Sequence, residues 1–114
     1  MNALFDSAAL AIVAYADVAS DGTSTVTNSG VTTTKTSTGV YSVTLPSDKT
    51  QATARDLIFV QPMGSGSSPR TSLVDDSSTT TKVVRITDGS SLADGEFKIL
   101  ILRTIVPPPA LAPA

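Results

Sequence analysis

The clearest pattern in the chain is the alternation in Gly39-Val40-Tyr41-Ser42-Val43-Thr44-Leu45, where Tyr41, Val43 and Leu45 share one side and Ser42 and Thr44 the other. A period of two is the signature of a half-buried strand. Val31 to Lys35 can pair with Val40 to Leu45 across the short Gly-containing connection Thr36-Ser37-Thr38-Gly39. Upstream, Leu10, Ile12, Ala14, Ala16 and Val18 alternate with Ala11, Val13, Tyr15 and Asp17. This again is strand spacing, although its alanine content also suits a helix capped by Asp6 or Ser7 and stopped at Asp21-Gly22.

Further strands are expected at Thr71 to Val74 and Thr80 to Thr87, with turns at Asp21-Gly22, Asp88-Gly89 and Asp94-Gly95. Two segments depart from simple alternation. Leu57-Ile58-Phe59-Val60 places Leu57 and Phe59 on one face and Ile58 and Val60 on the other. Glu96 to Val106 carries Phe97, Ile99, Ile101 and Ile105 on one face and Leu100, Leu102 and Val106 on the other. About seven short strands and no firm helix imply an all-β protein, an antiparallel β-sandwich with jelly-roll-like winding. It is expected to form one domain over residues 1–106. Residues 107–114, Pro-Pro-Pro-Ala-Leu-Ala-Pro-Ala, form a Pro-rich C-terminal tail that cannot join a ladder and favours an extended form.

A strand that is apolar on both faces, in a sandwich of this size, has one face in the core and another that needs a cover. A neighbouring subunit is the expected cover, which nominates Ile58, Val60, Leu100 and Leu102 as subunit-interface residues. The alternative cover is the N-terminal segment or the tail. Thr-rich, weakly charged edges invite pairing in a free monomer and point the same way.

Composition narrows the chemistry. The 114 residues include seventeen Thr and fifteen Ser but neither His nor Cys. Triads, Cys-His pairs, zinc sites and disulfides are therefore excluded, and no catalytic residue, no cofactor and no metal is expected. A net charge of −2 with scattered Lys and Arg offers no stripe for nucleic acid. The apolar run near the N-terminus lacks a preceding cation and is flanked by Asp6 and Asp17, so neither a signal peptide nor a membrane span is expected. Asp88, Asp94 and Glu96 supply three carboxylates in nine residues, but turns explain the two Asp-Gly pairs and the spacing is not that of a calcium loop. Two positioned acids could hydrolyse glycosides, yet the chain has two Tyr, three Phe and no Trp to line a sugar groove. Gly64-Ser65-Gly66-Ser67-Ser68 lacks the lysine that completes a phosphate loop and reads as a turn.

Three stretches together, Ala14-Tyr15-Ala16-Asp17-Val18-Ala19-Ser20-Asp21-Gly22, Thr38 to Leu45 and Phe97-Lys98-Ile99-Leu100-Ile101, resemble small virion proteins of tailed bacteriophages. Those proteins are trimeric β-sandwich knobs of fibres, spikes and capsid decoration, loosely similar to the globular heads of complement and tumour-necrosis-factor proteins. The resemblance implies a homotrimeric decoration or cement protein on the phage head. Its partners would be itself and the major capsid protein or another virion protein, and it would be made in the host cytoplasm. The alternative it implies is a fibre or spike knob that binds a receptor or glycan through Gly64 to Pro69 and Asp88 to Gly95.

Overall fold

In the computed structural model, residues 10–27, 30–50, 56–64 and 69–104 are described. The expected N-terminal cap at Asp6 or Ser7, the centre of the Gly64 to Pro69 loop, the strand end at Ile105 and Val106, and the Pro-rich tail lie outside the described residues.

The strands are β1 (Leu10–Val18), β2 (Ser24–Thr27), β3 (Thr32–Ser37), β4 (Val40–Thr44), β5 (Leu57–Pro62), β6 (Arg70–Asp75), β7 (Thr81–Asp88), β8 (Ser91–Leu92) and β9 (Phe97–Thr104). They form two antiparallel sheets, one ordered β2-β1-β9-β5 and the other β3-β4-β7-β6, with β8 paired to the end of β7. β1 pairs with β9 and, nested inside that pair, β4 with β7, which is the winding of a jelly roll. The all-β antiparallel sandwich is thus as the alternation implies. Among the described residues there are nine strands against the expected seven, because the Thr-rich segment after Asp21 contributes β2 and the Asp88–Gly95 connection contributes β8. The helical alternative for the first element is excluded, since Leu10–Val18 is a strand hydrogen-bonded on both edges. Among the described residues no helix is long and apolar enough to cross a membrane.

The core lies between the sheets. Tyr41, Val43, Val84, Ile86, Phe97 and Ile101 are fully buried, and each such side chain contributes about 1.5–3 kcal/mol relative to exposure. The Tyr41 and Phe97 rings meet edge to face across the two sheets, with centroids 5.1 Å apart.

One irregularity in β1 changes what the sheet presents to solvent. Ile12 pairs with Leu102 but Ala14 pairs with Ile101, so Val13 is an extra residue opposite the β9 ladder. A bulge of this kind reverses the sidedness of the strand on either side of it. Val13, Ala14, Ala16 and Val18 are buried, whereas Ile12 is 57% exposed. The single alternation expected from Leu10 to Val18 is therefore corrected: Ile12 joins Tyr15 on the outside instead of Ala14 on the inside.

At the end of the sandwich that holds the β3–β4 hairpin, Gly39 closes the turn at φ +72°. A β-carbon there would stand 2.7 Å from the Ala93 amide nitrogen and 2.8 Å from the Ile86 carbonyl oxygen, and both are backbone atoms that cannot rotate aside. Gly39→Ala is expected to cost about 2 kcal/mol or more, from the left-handed backbone and the clash together. Urea unfolding of the variant measures this, and an unchanged midpoint would contradict it.

Candidate interaction surface

The outer faces of the two sheets differ sharply. On the β3-β4-β7 sheet the register places Thr32, Thr44 and Thr81 in one row and Thr34, Ser42 and Val83 in the next. Hydroxyls dominate these two rows, Asp75 and Arg85 add charge beside them, and the exposed Leu73 and Leu92 stand apart on the peripheral strands β6 and β8.

On the other sheet, β1, β9 and β5 align three rows. Ile12, Leu102 and Leu57 make the first, Tyr15, Leu100 and Phe59 the second, and Asp17, Lys98 and Gln61 the third. The first two rows are apolar and contiguous, with Phe59 56% exposed, and the largest apolar patch of a protein surface is often functional. The third row ends the patch, since the Lys98 ammonium lies 2.7 Å from the Asp17 carboxylate. An open hollow of about 290 Å³ lined by Tyr15, Ala16, Asp17, Lys98 and Ile99 sits at that boundary.

Of the four residues nominated from sequence, Leu100 and Leu102 lie on this outer face. Ile58 and Val60 do not; they pair with Ile101 and Ile99 and pack inward against the core. Directly paired residues of an antiparallel ladder share a face, so burial of Ile99 and Ile101 carries Ile58 and Val60 inward with them. Leu57 and Phe59 take their place outside. Four consecutive apolar residues carry no signal of which parity faces the core, and a bulge leaves no mark on hydropathy, so Ile12, Tyr15, Leu57 and Phe59 were not found from sequence.

The loops at the β3–β4 end form a second cluster. Tyr41 donates from its hydroxyl to the Ser20 carbonyl at 2.8 Å and accepts from the Gly95 amide at 3.0 Å, which ties the β1–β2 turn to the segment before β9. Burial pushes this hydroxyl's pKa up. Arg70 donates to the Asp94 carbonyl at 3.1 Å and stands 3.9 Å from the Asp88 carboxylate. Arg70 thus gathers the two loops nominated for ligand contact around an open hollow of about 370 Å³ lined by Ser20, Met63, Gly64, Arg70, Asp94, Gly95 and Glu96. The one advance sign of this arginine's role is its place directly after the Gly/Ser/Pro loop.

The carboxylates of that loop are already engaged. Asp94 accepts from the Gly39 amide at 2.8 Å and pairs with Lys35. Among the described residues no group of three or more acidic, His or Cys side chains is arranged to hold a metal ion. The Lys35 hydrogen bond, then the Gly39 amide, hold the Asp94 carboxyl below the usual carboxylate range, and the same pair raises Lys35. A lowered carboxylate contributes stability above its unfolded pKa and loses it as pH falls through the folded value. A raised lysine contributes below its unfolded pKa and loses it as pH rises through the folded value. The pair is therefore at full strength across neutral pH. Carbon-detected NMR titration is expected to give Asp94 a midpoint below an ordinary aspartate, and an ordinary or higher midpoint would contradict the assignment.

No family model matches the chain, and no curated protein or solved structure was found to match it.

Proposed function

We propose that this chain is a non-catalytic structural protein that works by self-association through the outer face of β1, β9 and β5. The observation that carries this reading is the two-row apolar patch of Ile12, Tyr15, Leu57, Phe59, Leu100 and Leu102, whereas the outer face of the other sheet mixes hydroxyl, charged and apolar side chains. A standard interface buries about 800 Å² per partner with an apolar core and polar rim. The patch has the apolar character of such a core, and the Asp17–Lys98–Gln61 row has the character of such a rim. The virion resemblance adds the context: a homotrimer that decorates a phage head and contacts the major capsid protein.

Native mass spectrometry at micromolar concentration tests the association and co-sedimentation with undecorated capsids tests the context. Trimers that bind capsids are expected; a monomer would overturn the self-association reading, and trimers that ignore capsids would overturn the decoration role.

A second reading, a fibre knob that binds a glycan, is favoured by the hollow around Arg70, which draws on both loops that such a knob would use. None of the described residues that line the hollow is aromatic, and a glycan array distinguishes the readings, since a pure decoration protein is silent on it.

A further inference from the structure

The apolar outer face needs an occupant, and the sequence holds one that matches it. Residues 105–114, Ile-Val-Pro-Pro-Pro-Ala-Leu-Ala-Pro-Ala, contain no charged or hydrogen-bonding side chain. They follow directly on β9, whose last residue Thr104 pairs with Leu10, two residues from the Ile12–Leu102–Leu57 row. We propose that this Pro-rich segment from one copy seats across the outer face of a second copy. The proposal rests on the self-association reading and specifies what one subunit places on the next.

Three observations carry it. The first is spacing. Tyr15 and Phe59 flank Leu100 two strands apart, a separation of about 9.5 Å. A polyproline II helix advances about 9.3 Å in three residues. Such a helix laid across the strands would set Pro108 and Leu111 over the two aromatic rings, and proline stacked on aromatic-lined surfaces is a recurring mode of peptide recognition. The second is chemistry, since an uncharged segment meets a face whose charged residues are confined to one boundary row. The third is direction. A residue before a proline favours extended backbone and a proline ring fixes φ, so the sequence Val106-Pro107-Pro108-Pro109 favours an extended run. Ile105 alone then separates β9 from the stiff run, whereas reversing a chain in a β-turn takes two central residues. A segment that continued extended from Thr104 in the strand direction would lead away from the outer face of its own copy, whose rows lie back along β9.

The test mixes isotope-labelled and unlabelled full-length chain and records isotope-filtered NOEs between copies, alongside the subunit number from native mass spectrometry. The expected result is an oligomer with NOEs from the Tyr15 and Phe59 rings of one copy to proline and Leu111 protons of another. Leu111→Asp, beyond β9 in sequence, is expected to leave the thermal midpoint unchanged at fixed low concentration and to weaken association at least about tenfold, the loss of one buried leucine. An oligomer in which the rings of one copy instead touch the rings of another, or in which no such NOEs occur, overturns the segment's role and leaves self-association standing. Ring-to-proline NOEs confined to single chains overturn it in favour of self-covering. A monomeric full-length chain overturns the proposal and the self-association reading together.

Discussion

Asp56→Ala is expected to lower the thermal unfolding midpoint by at least roughly 10 °C, the largest effect of any single polar truncation in the sandwich. Asp56 sits just before β5, and its carboxylate is completely buried. It accepts from Arg103 Nε at 2.8 Å and Nη2 at 3.2 Å, a two-pronged geometry that matches guanidinium to carboxylate. On its other side stands the ammonium of Lys82, 3.9 Å away and fully buried in β7 of the opposite sheet. Lys82 also pairs with Asp76 and donates to the Ser78 carbonyl at 2.8 Å. Arg103 reaches the Lys49 carbonyl at 2.7 Å, and its hydrogen bond to Asp56 raises the guanidinium further above its ordinary pKa. The network closes the end of the sandwich by which β9 leaves, and it links both sheets.

Removing Asp56 leaves two cations facing a buried gap, and breaking a buried pair in this way costs about 3–5 kcal/mol. Lys82→Met is expected to cost far less. It removes the buried ammonium, leaves Asp56 with Arg103, and leaves Asp76, the more exposed carboxylate, able to turn to water. Thermal denaturation of the two variants side by side checks the asymmetry, and equal losses would contradict the view that Asp56 is the shared anion.

This network shows where sequence reading stops. Alternation placed Tyr41, Val43 and Leu45 inside, and they are inside, because β4 has one apolar parity and one polar parity and only one arrangement buries the larger set. In β7 the same period sets Lys82 in line with Val84 and Ile86, so its burial follows from position. Its partners do not. Asp56 and Asp76 come from separate connections, and only the pairing of β9 with β5 and the turn after β6 bring them to Lys82. The outer face was half legible for a related reason. Apolar residues on both parities of β5 and β9 announce that some second face exists, and Leu100 and Leu102 lie on the outer one. The parity of β5 and the bulge at Val13 are set by registers between strands distant in sequence, which no local pattern encodes.

Register also yields the sharpest test of the surface, through two substitutions one row apart. Leu100 lies at the centre of the outer face, between Tyr15 and Phe59, whereas Ile58 points inward beside Ile101. Leu100→Asp places a carboxylate where the free subunit can hydrate it. The fold then loses only cross-strand apolar contacts, each worth roughly 0.2–1 kcal/mol. In the assembly the same carboxylate must be buried without a partner, a cost of several kcal/mol that weakens association by more than about a hundredfold. The variant is expected to be a folded monomer by sedimentation and circular dichroism. Ile58→Asp turns its charge toward the core beside Ile101 and is expected to cost the fold several times what Leu100→Asp does, because the carboxylate loses water and most such domains have only about 5–15 kcal/mol to lose. If Ile58→Asp stayed folded while Leu100→Asp unfolded, β5 and β9 would face the other way. If Leu100→Asp still assembled like the parent chain, the apolar rows would have no part in self-association, and the contact between copies would have to lie on another surface.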